Sequence, residues 1–156
     1  MSQLSDNALS IAISQVGQKE NPLGSNWGHP VEEYIASVGL NEPVSWCMCF
    51  MYWCFGQASK GLSITNPMTK TAGVVHAWQV AYPEHKITAD PQAGDIFIMD
   101  FGGGHGHTGI VESVDPDGTL HTVEGNTDLT GSPNGDGVYR RVRHFRPPIL
   151  GFLRYP

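Results

Sequence analysis

The pattern of apolar residues changes near the middle of the chain, and this change limits the fold more than any other feature. The first half carries apolar side chains at helical spacing, over residues 5–16, 31–38, 46–59 and 71–82. After Pro83 the pattern approaches strict alternation, over residues 95–101, 108–115, 119–125, 138–144 and 151–155. Helices followed by a meander of short strands predict an α+β fold.

The ends of the predicted helices follow from local signals. Ser5 is the expected N-cap of the first helix, and Gly17 ends it. Ser45 is the expected N-cap of the helix over residues 46–59, with Gly61 at its other end. This helix is apolar nearly all round, so we expect it to be buried.

Composition limits the class of protein. The chain has 156 residues without an internal repeat or a linker, so we expect one domain covering residues 1–156. The net charge of −6 argues against a nucleic-acid binder, which usually presents a basic face. The longest uncharged apolar run, residues 46–55, is about half the length that a membrane span requires. We therefore expect neither nucleic-acid binding nor a membrane span.

Three cysteines, Cys47, Cys49 and Cys54, lie close together in one predicted helix. An odd, clustered set cannot form a disulfide framework, which indicates a chain made in a reducing compartment. Cys47 falls in the first turn, where free backbone N–H groups and the helix dipole favour a thiolate. The alternative is a small apolar core residue, and Cys49 and Cys54 fit that interpretation better because they lie deeper in the helix.

His107 opens an apolar strand behind a glycine-rich turn. A histidine in this position can act as a general base if a partner holds its tautomer. It could instead be an ordinary hairpin residue, or one half of a metal-binding pair with His105. The spacing of the three cysteines does not supply the paired C-x2-C ligands of a zinc site, so we expect no metal there.

Glu124 and Asn126 close the next predicted strand. If the strands on either side of residues 117–118 pair as a hairpin, their outer ends are neighbours. Either side chain would then lie beside His107 and could accept its Nδ1–H. The alternative is that residues 125–126 merely begin a turn. A thiol at a helix start, a histidine and an orienting polar group together form the arrangement of papain-like enzymes.

These motifs, taken in order, resemble those of the CHAP family of cysteine- and histidine-dependent amidohydrolases and peptidases. The matching pieces are Ser-Trp-Cys47, Gly-Asp95-Ile, Gly-His107-Thr-Gly-Ile-Val and Glu124-Gly-Asn126. The likeness in order and spacing extends over roughly residues 10–155. It implies a papain-like fold, with N-terminal helices packed on an antiparallel sheet of about five or six short strands. It also implies cleavage of amide bonds in peptidoglycan.

The resemblance assigns the chemistry to four side chains, namely Cys47 as nucleophile, His107 as base, Glu124 orienting His107, and Asn126 as a supporting polar group. It leaves open whether Glu124 or Asn126 makes the main contact to the imidazole. Trp46 and His105 are expected to line the substrate site. The oxyanion would be held by the Cys47 backbone N–H and a second donor that the sequence does not identify.

Three further segments need an interpretation. Asp95 is expected to hold the turn before its strand and to take no part in catalysis. Residues 20–26 fit either a wall of the substrate groove or an ordinary surface loop. The pattern Asn126-x-Asp128-x-Thr130-Gly131 resembles the start of a calcium loop, but Gly137 stands where such a loop carries its bidentate glutamate. We therefore expect no metal and no cofactor.

The expected partner is the peptide stem or cross-bridge of peptidoglycan, bound by a monomer. Two other functions stay open: a non-catalytic cell-wall binding module on the same fold, and a cysteine peptidase that acts on proteins. The N-terminus lacks the basic start and apolar stretch of a secretory signal. We therefore expect synthesis in the cytoplasm and delivery to the periplasm or wall by a phage holin or a secretion system. The acidic charge favours an injected effector with a cognate immunity protein.

Overall fold

The computed structural model describes residues 1–130 and 134–156. Within these residues four helices come first, α1 (Gln3–Ser14), α2 (Val31–Ser37), α3 (Cys47–Gly61) and α4 (Val74–Val80). A short 3-10 turn at Pro83–His85 follows, and then the strands, β1 (Lys86–Ile87), β2 (Ile96–Gly102), β3 (His105–Val114), β4 (Thr119–Thr127), β5 (Gly137–His144) and β6 (Ile149–Leu153). The α+β prediction is confirmed.

The predicted cap of the first helix was wrong by one turn. The N-cap of α1 is Ser2, whose hydroxyl accepts the Ser5 backbone N–H at 3.1 Å. Ser5 is itself buried inside the helix, and its hydroxyl donates to the Tyr155 carbonyl at 3.2 Å. The partner that satisfies Ser5 lies at the far end of the chain, so no local pattern could have predicted it.

Two other helix ends also differ from the prediction. Trp46, rather than Ser45, occupies the N-cap position of α3, and no side chain caps this end. The helix α4 begins only at Val74, whereas we expected it from residue 71. The Thr71 hydroxyl accepts the Gly73 N–H at 3.0 Å, and this local turn competes with the first helical turn.

The six strands form one sheet in the order β1-β6-β2-β3-β4-β5, with antiparallel neighbours throughout. The predicted hairpin around residues 117–118 is confirmed, because β3 pairs with β4 and the Asp115 N–H donates to the Thr119 carbonyl at 2.9 Å. Pairing in this register brings the start of β3 and the end of β4 to the same region of the sheet.

Apolar side chains cover both faces of the sheet. On one face, buried strand residues join the core formed by the helices, among them Ile96, Ile98, Ile110 and Val123. On the other face lies a second buried cluster, made of Phe97, Met99, Val111, Leu120, Ile149 and Phe152. The helix α3 packs against β3 and β4 and is buried over most of its length, as predicted from its composition.

Asp95 holds the turn before β2, as expected. Its carboxylate accepts the Gln92 N–H at 2.8 Å and two hydrogen bonds from the Arg154 guanidinium, both at 2.8 Å. This buried ion pair ties the turn to the segment that follows β6.

Strands β2, β3 and β4 approach closely at Gly109. A Cβ atom placed there would lie 2.5 Å from Glu124 Cγ and 2.7 Å from a ring carbon of Phe97. Real Cβ atoms do not come this close to their neighbours, so a side chain at this position would force the strands or Glu124 to move.

Replacing Gly109 with Ala should therefore destabilise the protein by about 1–3 kcal/mol through overpacking, measured by chemical denaturation. Gly61→Ala is the matched control, because no described atom beyond its own helix turn lies within 4 Å of the added methyl group. That variant should keep its stability or gain slightly. Equal stability of Gly109→Ala and the parent protein would contradict the close approach.

Candidate active site

Cys47 lies in the first turn of α3, as predicted, and is the first residue of the helix. Its neighbours in the first turn have backbone N–H groups without partners inside the helix, and these create a positive local potential. Cys47 is 2% exposed, and His107 and Glu124 are 0% exposed. All three residues are therefore almost completely enclosed by the protein.

Trp46 anchors the start of α3 and is fully buried. Its indole N–H donates to the Glu20 carboxylate at 2.8 Å, and its ring stacks on Tyr34 with centroids 5.6 Å apart. Glu20 is buried in turn and accepts the Gly24 N–H at 2.9 Å. The loop before α2 therefore supplies a buried acceptor that holds the indole in the core, and a contact between Trp46 and substrate stays a prediction.

The end of β4 packs directly on this anchor. A Cβ atom at Gly125 would lie 2.7 Å from the Trp46 ring and 2.9 Å from the Phe50 ring. The absence of a side chain at residue 125 therefore lets the strand touch the first turn of α3. This contact sets the distance between the Cys47 thiol and the polar residues on either side of Gly125.

His107 and Glu124 form a buried pair. The Nε2 atom of His107 lies 2.8 Å from Glu124 Oε1, so the expected contact through Nδ1 is corrected to Nε2. Among the described residues Nδ1 has no hydrogen-bond partner, although Cys47 lies close enough to influence the charge of the same imidazole. Since Glu124 occupies Nε2, Nδ1 is the ring nitrogen without a hydrogen bond in this structure.

The charges of the pair support each other. Burial by itself would lower the pKa of His107, but the interactions with Cys47 and Glu124 outweigh it and raise this pKa to about 9. Burial would raise the pKa of Glu124, yet hydrogen bonds from Arg143 and His107 lower it to about 2. An imidazolium beside a carboxylate is therefore the form at neutral pH.

Arg143 completes the surroundings of Glu124, and sequence reasoning missed it. Its guanidinium donates to Glu124 Oε2 at 2.8 Å through Nε and to Oε1 at 2.6 Å through Nη2. The Thr122 hydroxyl donates to Oε2 at 2.6 Å. The one signal in the sequence is the group of arginines in β5, but the choice among them depends on the register between β4 and β5.

Asn126 lies near the pair without bonding to it. The residue is buried, its backbone is left-handed with φ of 55°, and the β4–β5 register shifts between Glu124 and Thr127. Neither atom of its amide group has a hydrogen-bond partner among the described residues. The structure therefore places Glu124, and not Asn126, in contact with the imidazole.

The other two cysteines are core residues, as predicted. Cys49 and Cys54 are fully buried. Burial first, and the nearby Cys47 second, raise the pKa of Cys49 to about 12. Burial also raises the pKa of Cys54 well above its ordinary value. Both stay protonated at neutral pH, as expected of buried core thiols.

The remaining predicted positions lie at the edges of the site. His105 is exposed at the start of β3, and its role as a substrate contact stays a prediction. In the calcium-like pattern, Asp128 accepts the Thr130 backbone N–H at 2.8 Å and its hydroxyl at 2.6 Å, while Gly131 lies outside the described residues. Residues 1–130 and 134–156 contain no group of three His, Cys, Asp or Glu side chains that could hold a metal ion.

The described helices are also too short or too polar to cross a membrane.

A thiol, an imidazolium and a carboxylate in series are suited to acyl transfer, since the thiol can attack a carbonyl while the imidazole carries protons. The buried carboxylate fixes the imidazole ring and its charge.

Comparison with curated proteins finds no sequence that matches the chain. A crystal structure of the wild-type endolysin LysIME-EF1 is similar in fold, with a TM-score of 0.61 and 20% sequence identity. The likeness covers 100% of this chain and 65% of that one, so this chain spans about two thirds of the endolysin's length.

The sequence profile of the CHAP domain matches residues 39–126, which is more than half of the 156 residues. The matched range contains the thiol at the start of α3, the histidine of β3 and the carboxylate of β4. With the helix-first order, the six-stranded antiparallel sheet and this match together, the chain belongs to the CHAP family.

Proposed function

We propose that this protein is a peptidoglycan hydrolase that cleaves an amide bond with Cys47 as nucleophile. The observation that carries the proposal is the buried His107–Glu124 pair beside a thiol at a helix start. Membership in the CHAP family and the likeness to an endolysin support the substrate class. The peptide stem or the cross-bridge would supply the bond.

In the first half of the reaction the Cys47 thiolate attacks the amide carbonyl and forms a C–S bond. The Cys47 backbone N–H, at the positive end of α3, stabilises the oxyanion of the tetrahedral intermediate. His107 then gives its proton to the leaving amine, the C–N bond breaks, and a thioester remains on Cys47.

In the second half His107 acts as a base. The neutral imidazole takes a proton from water, the resulting hydroxide attacks the thioester, and the C–S bond breaks with the Cys47 thiolate as leaving group. The carboxylic acid product loses its proton to solvent and leaves as a carboxylate, and the Cys47 thiolate and the His107 imidazolium are restored. Glu124 stabilises the imidazolium each time it forms and holds the ring through Nε2. Asn126 is proposed as a supporting polar group behind the ring.

The wall substrate implies action outside the cytoplasm. We propose that the catalytic unit covers residues 1–156, that it works as a monomer, and that a holin or a secretion system delivers it. An injected effector would also require a cognate immunity protein in the producing cell. The proposals on delivery and immunity assume that the substrate is peptidoglycan.

Replacing Cys47 with Ala should abolish release of fragments from purified sacculi, measured by mass spectrometry, while the fold is retained. Cys49→Ala is the matched control, because this neighbouring thiol is buried and protonated. It should keep activity but lose about 1–3 kcal/mol of stability. Full activity of Cys47→Ala would overturn the mechanism, and intact sacculi with cleavage of a denatured protein would overturn the substrate.

The activity should fall as the pH rises through about 9, where His107 loses its proton. In Glu124→Gln the imidazolium loses its counter-charge, so the pKa of His107 drops and this alkaline limb of kcat/KM moves to lower pH. Glu112, a partly buried carboxylate paired with the exposed Arg140, provides the control Glu112→Gln, which should leave the profile unchanged. If the alkaline limb of kcat/KM lies at the same pH in Glu124→Gln and in the parent protein, the Glu124 carboxylate has no part in the mechanism.

His107→Ala should be as damaging as Cys47→Ala, because the two act as one unit. His105→Ala, two residues away on the same strand, should have a mild effect. An essential His105 with a dispensable His107 would show that the base had been placed at the wrong histidine. Rates on sacculi for the three variants decide the point.

Toxicity should depend on export. Expression in the cytoplasm of a Gram-negative host should be tolerated, because peptidoglycan lies outside the inner membrane. Fusion of a secretory signal to the N-terminus should cause rounding of the cells, visible by microscopy, and lysis, measured as a fall in optical density. The Cys47→Ala form of the same fusion is the control and should be harmless. Cytoplasmic toxicity that needs Cys47 would contradict peptidoglycan as the substrate.

A further inference from the structure

We propose that Arg143 is a positioning residue of the active site, which acts through Glu124 and keeps this carboxylate ionised and oriented toward His107. The proposal rests on the proposed catalytic roles of Cys47, His107 and Glu124. It assigns a function to a residue of β5, a strand that supplies none of the residues recognised from the sequence.

The geometry is a two-point clamp. Arg143 bonds to both oxygens of Glu124, at 2.8 and 2.6 Å, so it fixes the plane of the carboxylate as well as its position. Oε1 is thereby shared between Arg143 and His107, and Oε2 between Arg143 and Thr122. The guanidinium carbon also lies over the Phe97 ring, 5.9 Å from its centre, and this cation–π contact helps to hold the guanidinium in place.

The clamp solves an electrostatic problem of the reaction cycle. A carboxylate buried without a positive partner is strongly destabilised. His107 provides that partner only while it is protonated, and it gives its proton away when the amine leaves. Arg143 stays charged throughout, because a guanidinium does not deprotonate in proteins. Glu124 can therefore remain ionised during the step in which His107 is neutral.

Each strand around Glu124 contributes one group. His107 faces it from β3, the Thr122 hydroxyl from β4 itself and Arg143 from β5. Among the described ionisable groups, Arg143 and His107 are the ones that lower the pKa of Glu124. Removing Arg143 should therefore raise that pKa, with His107 as the remaining cationic partner.

The first test is a carboxyl carbon NMR titration of Glu124 in labelled protein, which needs no substrate. In the parent protein Glu124 should not titrate between about pH 3 and 7. In Arg143→Met it should titrate within that range, with a midpoint at least about one pH unit higher. Arg143→Lys, which keeps the charge but not the fork, should lie between the two and decides the point if Arg143→Met does not fold.

Arg140→Met is the matched control. Arg140 lies on the same strand and forms a similar pair with Glu112, at 3.0 and 3.1 Å, but on the exposed surface. Its loss should leave the Glu124 titration unchanged. An unchanged Glu124 midpoint in both Arg143 variants would overturn the proposal.

The second test is the pH profile of kcat/KM on sacculi. Arg143→Met should move the acid limb to higher pH, whereas a merely structural role would lower the rate by the same factor at every pH. In a Glu124→Gln background the Arg143→Met change should have little further effect, because the charge on which it acts is gone. If the loss of kcat/KM in the double variant equals the product of the losses in the two single variants, the two residues act independently and the proposal is overturned.

The two tests also separate this inference from the proposed function. If the parent protein leaves sacculi intact while Glu124 still titrates at higher pH in Arg143→Met, the substrate is wrong and the role of Arg143 stands. If sacculi are cleaved while Glu124 titrates identically in all variants, the function stands and the role of Arg143 is wrong.

Discussion

The buried ion pair between His107 and Glu124 is the interaction on which the rest of the site depends. Neither charge could stay without a partner in the interior, so Glu124 helps to keep His107 protonated, while Arg143 and His107 together keep Glu124 ionised. The raised pKa of His107, about 9, stabilises the folded state below the ordinary histidine value and loses this effect as pH rises through about 9. The lowered pKa of Glu124, about 2, stabilises it above the ordinary glutamate value, and this contribution is lost as pH falls through about 2. The pair therefore supports the fold across the neutral range.

Packing between two layers brings the thiol to this pair. Cys47 belongs to a helix and the other two groups belong to strands, so their distances are set by how α3 lies on the sheet. Two glycines permit the close approach: Gly125 lets β4 touch the start of α3, and Gly109 makes room for Glu124 between neighbouring strands. The Glu20–Trp46 hydrogen bond then holds the helix start from the other side. A rigid scaffold of this kind is what positions reactive groups before a substrate arrives.

Much of this could be predicted from residue types and spacing. Cys47 is a candidate nucleophile because a helix start favours an anion, and Glu124 and Asn126 are candidate partners of His107 because hairpin pairing brings their strand end beside it. The same reasoning did not predict that Trp46 is fully buried, since its partner Glu20 sits in a loop whose path has no periodic signal. It also placed the wrong ring nitrogen against Glu124, because the orientation of an imidazole depends on what lies on both of its sides.

By itself the sequence determined the order of helices and strands and the hairpin at residues 117–118. Local periodicity and turn chemistry are enough for these features, since they involve neighbours along the chain. Only the tertiary structure decided that Glu124 rather than Asn126 contacts His107, and that Arg143 clamps Glu124 from β5. Those choices follow from the register shift at the end of β4 and from the packing of segments that are distant in the sequence. A shift of one residue in the pairing of β4 with β5 would turn a different side chain toward His107.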